Sequence, residues 1–216
     1  MSVRAALLVA AGLAIAGCST GDTVSPIVPV EQSAPRTMLV IGSNGTSGRG
    51  LAEPGRTAWP QLVFSDRFAP GDLMYQVLAP GGFAATALTE ARDAFASLDP
   101  DVVVIWIGGR DEAEGTPIEA FEADLADLVD AASTTGAVVV VATLLDGHPD
   151  DDRDPAYNDA IRRTVAAAGA NLADLADLDV ARQPGDDSFL PSETGHRTIA
   201  DAIVSALGAA SDEISA

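Results

Sequence analysis

The stretch IGSNGTSGRGL, residues 41 to 51, passes from an apolar run through a turn into a helical pattern. A strand-to-helix turn of this kind lifts a side chain clear of a sheet, and the helix start favours negative charge there. Ser43, Asn44 and Ser47 compete for the exposed place. A hydroxyl nucleophile needs an imidazole to take its proton and a carboxylate to orient that imidazole, all within hydrogen-bond reach. The chain has two histidines, His148 in LLDGHPDDDRD and His196 in SETGHRT, and aspartate is abundant. Acyl transfer is the chemistry these residue types would serve, with capping or packing as the other role open to Ser47.

Two other chemistries are weaker. The acidic run DGHPDDDRD, residues 146 to 154, offers hard oxygen ligands but lacks the spacing of a calcium-binding EF-hand loop, so it reads as a solvated loop. The glycines at 42, 45, 48 and 50 form neither a Gly-Lys-Ser/Thr loop nor a Gly-x-Gly-x-x-Gly fingerprint. No metal and no cofactor is expected.

The elements that must position these groups alternate along the chain. Strands are predicted at 37–42, 73–79, 101–108 and 137–144, with a weaker fifth near 170–178. The third and fourth are continuous apolar runs, as for parallel strands covered on both faces. Between and after them, Ile118, Phe121, Leu125, Leu128 and Ala132 mark one helical face, Tyr157, Ile161 and Val165 another, and Ile199, Ile203 and Leu207 a third. Strand alternating with helix predicts an α/β fold with a five-stranded parallel sheet in flavodoxin-like order 2-1-3-4-5 and helices on both sides. Ligands bind such sheets beyond the carboxyl ends of the strands. Residues 43–48, 80–85, 108–115 and 146–154 are the loops expected there, joined by the approach to the last helix at 183–196.

In that order these loops resemble the sequence blocks of the SGNH (GDSL-type) hydrolase superfamily, esterases and acylhydrolases that fold as a three-layer α/β/α sandwich. The resemblance spans about residues 37 to 208. Its first block, Gly-Asp-Ser, falls on Gly42, Ser43 and Asn44, which puts Asn44 in the place of the nucleophile. The second block implies Gly81 as an oxyanion donor in APGGFAAT. The third, Gly-x-Asn-Asp, falls on IGGRDE, keeping Gly108 and Asp111 but putting Arg110 where the asparagine donor belongs. The fifth, Asp-x-x-His, keeps Asp187 and puts Leu190 in place of the catalytic histidine, followed by Pro191, Ser192, Gly195 and His196. Asparagine is no acyl acceptor and leucine moves no proton, so the resemblance implies a site without its usual chemistry, suited to binding an acyl, glycan or protein partner. An active esterase built on displaced residues, with Ser43 as nucleophile, His148 as base and Asp187 as orienting acid, is the alternative. Arg110 either binds a carboxylate or phosphate or pairs with a neighbouring acid.

Composition narrows the partners. Twelve arginines, no lysine and 32 Asp+Glu give a formal net charge of -20, which repels nucleic acid. The length suits a single globular domain, expected to be monomeric. At the start, Arg4 precedes the apolar run AALLVAAGLAIA and then Gly17 and Cys18, the only cysteine. A run this short, with small residues before a cut site, describes a secretory signal rather than a membrane span. It resembles a bacterial lipoprotein signal, which implies a signal peptide over 1–17 and lipidation of Cys18. Residues 18–36 then form a tether, 37–208 the domain and 209–216 a frayed tail. The expected location is extracytoplasmic, anchored in the cell envelope.

Overall fold

The computed structural model describes residues 34–145, 155–184 and 190–214. Five strands, β1 (Thr37–Gly42), β2 (Leu73–Leu78), β3 (Val102–Ile105), β4 (Val138–Ala142) and β5 (Asn171–Ala173), form one sheet in the order β2-β1-β3-β4-β5, with every pairing parallel. This is the predicted α/β sandwich and strand order.

The apolar runs explain the layering. Side chains alternate across a strand, so a strand covered on both faces needs apolar residues at every position. In β1, Leu39 and Ile41 join Val103, Ile105, Val139 and Val141 in one core, while Met38 and Val40 join Val104, Val140 and Ala142 in the other. The first core is closed by α4 (Ala84–Leu98), α6 (Ile118–Ser133) and α7 (Pro155–Ala168). The second is closed by α3 (Trp59–Arg67) and α8 (Glu193–Ile214). The predicted faces are the buried ones: Phe121, Leu125, Leu128 and Ala132 on α6, Tyr157, Ile161 and Val165 on α7, and Ile199, Ile203 and Leu207 on α8.

Two expectations are corrected. The segment 108–115, read as a loop, carries a short helix, α5 (Gly109–Glu114), because glycines with φ of +109° and +70° at Gly108 and Gly115 let the chain turn sharply at both ends of it. The fifth strand is only three residues long, since Asp174 leaves the ladder to receive Thr143 Oγ1 and Arg162. The last helix, α8, extends to Ile214. Two single-turn helices, α1 (Asn44–Ser47) and α2 (Pro54–Thr57), lie between β1 and α3.

Candidate functional site

The last residue of β1 fixes the turn that follows it. A Cβ on Gly42 would lie 1.9 Å from Oγ1 of the buried Thr46, so only glycine lets α1 fold back against the strand end. Ser43 is then the N-cap of α1, its carbonyl taking the N–H groups of Thr46 and Ser47 at 3.0 Å each. Its side chain gives no cap hydrogen bond. Asn44 follows as the first helical residue and is exposed. Ser47 closes the helix, its hydroxyl donating to Asn44 O at 2.9 Å, so it neither caps the helix start nor faces the sheet end.

The β2 end comes alongside. Ala79 N donates to Gly42 O at 2.8 Å, and a tight 3₁₀ turn over Pro80–Gly82 places Gly81 and Gly82 at φ of +72° and +78°. A Cβ on Gly82 would meet Ser43 Cβ at 3.1 Å and Arg110 Cβ at 3.6 Å. The missing side chain at 82 therefore leaves room for the close approach of Ser43, with Arg110 at ordinary contact distance. The Gly82 N–H is used within the turn, donating to Ala79 O at 3.0 Å, whereas Gly81 is exposed at the cleft.

Behind the first turn stands Trp106, just past β3. Its backbone N–H donates to Ile41 O at 2.9 Å and its indole Nε1 to Thr143 O at 3.1 Å. A Cβ on Gly45 would come within 2.9 Å of this indole. The third loop is pinned in turn. Gly108 packs so closely on Phe121 that a Cβ would approach its ring to 2.7 Å. Asp111, 1% exposed, accepts the Ala84 N–H at 2.9 Å and so caps α4 from the neighbouring loop. Burial pushes its carboxyl above the ordinary range, against the opposing hydrogen bonds from Ala84 and Thr116. Tyr157 Oη donates to the carbonyls of Asp111 and Thr116, tying α7 to the same loop. Arg110 lies along its own helix with Nη2 2.6 Å from Glu114, both side chains about half exposed.

Leu190 closes the opposite wall. Its carbonyl takes the Gln183 N–H at 2.9 Å, next to a bridge between Arg182 and Pro191, and only 4% of it is exposed. Together these segments enclose a cleft of about 520 Å³ lined by Ser43, Asn44, Gly81, Gly82, Arg110 and Leu190, with Phe83, Trp106, Leu144 and Leu145 supplying much of the remaining wall. It lies at the carboxyl end of the sheet, as the crevice rule requires. Gly108 adjoins it beneath α5.

The other candidates stand apart. His196 is 1% exposed and does not line the cleft. Its Nδ1 accepts the Trp59 N–H at 3.1 Å, which makes it the neutral tautomer carrying its proton on Nε2, and burial holds its pKa down at about 4. It serves as a clasp between α8 and α3. His148, Asp187 and Cys18 lie outside the described residues. Among the described residues no group of His, Cys, Asp and Glu is placed to hold a metal ion, and no helix is long and apolar enough to cross a membrane.

Residues 40–198 match the GDSL-like lipase/acylhydrolase family. The chain belongs to that family. The fold agrees with this GDSL-type assignment: a psychrotrophic esterase from Pseudoalteromonas sp. superposes with a TM-score of 0.68 at 17% identity, covering 82% of this chain and 99% of that one. An α/β hydrolase from the metagenome of Lake Arreo, Spain, gives 0.66 at 21% identity over 82% and 97% of the two chains, and an acetyl xylan esterase gives 0.62 at 18% over 79% and 98%. At these identities the likeness is one of fold. No curated protein sequence matches this GDSL-type chain.

Sequence reasoning missed Gly82 and Trp106. Gly82 stands beside the glycine it chose, and the doubled glycine after Pro80 was the available sign. Trp106 continues the apolar run of β3 in the sequence, where nothing distinguishes a cleft wall from a strand.

Proposed function

We propose that this GDSL-type domain binds a ligand in its cleft without hydrolysing it. The observation that carries the reading is the pairing of Asn44 with Leu190. Both line one cleft, at the places the family resemblance gives to the nucleophile and its base. Amide and isobutyl groups neither form an acyl intermediate nor carry a proton. The one described imidazole, on His196, is occupied with the Trp59 N–H outside the cleft lining. The domain is held in the cell envelope by a lipid on Cys18, with residues 19–36 as spacer. The support here is the sequence alone, LAIAGCST after a short apolar run. A diacylglycerol-type anchor gives the two or more chains that stable membrane binding requires.

Two experiments test this reading. A fluorophosphonate probe should leave the unaltered protein unlabelled, and a short-chain aryl ester should not turn over. Stoichiometric labelling at Ser43, abolished by His148→Ala, would replace the reading with an esterase built on Ser43, His148 and Asp187. Membrane fractionation should show the protein released by Cys18→Ala, and unchanged retention of that variant would remove the lipid anchor.

A further inference from the structure

Among the described residues, the large apolar side chains left exposed all fall on one strand: Leu73, Tyr75 and Leu78, at 46%, 42% and 45%. That strand, β2, ends the sheet and pairs with β1 alone. Its sequence, LMYQVL, carries no charge and no proline, the devices that usually keep an edge strand from pairing with another chain. We infer that β2 is a dimer interface, at which two copies of this chain pair antiparallel about a twofold axis at Gln76 and join their sheets into one. This replaces the monomer expected from length, and it does not depend on what the cleft does.

The backbone fixes the register. Successive strand residues send their N–H and C=O groups to opposite sides. Leu73 N–H donates to Arg36 O and Ala79 N–H to Gly42 O, both at 2.8 Å, so Leu73, Tyr75 and Val77 direct theirs to β1. Met74, Gln76 and Leu78 direct theirs outward, to the free edge. With the axis at Gln76, this residue exchanges both bonds with its own copy in the partner, and Met74 does the same with Leu78 of the partner subunit. The side chains then match as well. Met74 and Leu78 share the face of the second core, where Met74 already packs, so the exposed Leu78 gains an apolar neighbour across the axis. On the other face Tyr75 lies opposite Val77 of the partner subunit, an aromatic and β-branched pair of the favourable kind, and Leu73 opposite Ala79 of the partner subunit. An axis at Tyr75 would instead set Leu78 opposite Asp72 of the partner subunit. A lipid surface suits this strand less than a second strand does, since it would strip water from the outward N–H and C=O groups without replacing their hydrogen bonds. Charge sets the limit. Each copy carries a formal -20, so approach is opposed at long range and eased by salt. A single strand pair also buries less than a standard interface, which makes the dimer a weak, reversible one.

The test uses the full chain carrying Cys18→Ala, which removes its only cysteine. Analytical ultracentrifugation should show a monomer–dimer equilibrium that shifts toward dimer as protein concentration or salt rises. Gln76→Pro removes an outward donor without touching the β1 ladder, and Gln76→Lys sets two like charges face to face on the axis. Each should weaken the dimer at least tenfold while leaving the urea midpoint of the monomer unchanged. Residues opposite one another on the axis lie about 5.5 Å apart, within disulfide reach. Gln76→Cys should therefore link two copies under mild oxidation, whereas Leu73→Cys, far from the axis, should not. A chain that stays monomeric at every concentration would overturn the proposal. So would a dimer indifferent to both Gln76→Pro and Gln76→Lys, or equal linking through Leu73→Cys. Slow hydrogen exchange of the Gln76 amide in the monomer would show that another segment of the same chain holds the edge, and would overturn it too.

Discussion

The Trp59 backbone N–H donates to Nδ1 of His196 across 3.1 Å, joining the first turn of α3 to the first turn of α8 inside a fully enclosed environment. The bond requires a neutral imidazole, because a protonated ring has no acceptor on Nδ1. With a pKa of about 4 in the fold against 6.5 for an ordinary histidine, the unfolded chain takes up the proton first as pH falls. The contribution is complete above pH 6.5 and is lost between about 6.5 and 4, amounting to roughly 3 kcal/mol at 1.36 kcal/mol per unit. Urea unfolding across this range should show it, and His196→Gln should remove it. Parallel stability curves for the two proteins would refute it.

Asp111 offers a contrast in sign. Its carboxyl is pushed up by burial, so the fold favours the protonated acid, and ionisation near neutral pH costs stability. Asp111→Asn keeps an oxygen for the Ala84 N–H without the buried charge, and should be neutral or mildly stabilising at pH 7, with the difference fading in acid. Asp111→Ala leaves that N–H without its partner and should cost about 1 to 3 kcal/mol. Thermal unfolding of the two variants at pH 7 and pH 4 checks both; equal losses would mean that the carboxylate itself is required.

Gly108→Ala should be among the most damaging single changes. The residue has φ of +109°, where an L side chain is strained, and the added methyl would meet Phe121 at 2.7 Å. A loss of about 3 kcal/mol or more is expected by denaturant titration. Adding Phe121→Leu to Gly108→Ala should return only the part due to crowding.

Restoring chemistry requires two substitutions at once. Asn44→Ser alone gains a hydroxyl but meets Leu190 and finds no base in the described wall. Asn44→Ser with Leu190→His supplies both, Asp187 being the orienting acid that the family resemblance implies, and should bring fluorophosphonate labelling and measurable ester turnover. Loss of one triad member typically reduces turnover by about 10⁴ to 10⁶, so the single changes should lie near background. Labelling of Asn44→Ser alone would show that a base other than residue 190 serves.

What was legible in the sequence followed from burial. Thr37–Gly42 is buried at every position, and the unbroken apolar stretch Met38–Ile41 within it is the pattern a covered parallel strand imposes. The helical faces read as clearly because one side of each packs on the sheet. Short elements were hidden: α5 spans six residues of GRDEAE, too few for a hydrophobic period to emerge, and its boundaries depend on two glycine conformations. The partners of Asp111 were hidden for another reason. Ala84 and Tyr157 lie 27 and 46 residues away, and only the sheet order brings them together.

The place of β1 inside the sheet, between β2 and β3, has a mechanical consequence. The strand is bonded along its length to β2 on one side and to β3 on the other, and just before it Arg36 is clamped to Asp72 through its N–H and its guanidinium. A pull applied through the residues that precede Arg36 loads both ladders in shear at the same moment. The trailing helix α8 has no ladder and can peel from the sheet turn by turn. The leading end is therefore the grip by which the domain withstands force, and single-molecule stretching from that end should give a higher rupture force than stretching that begins at α8.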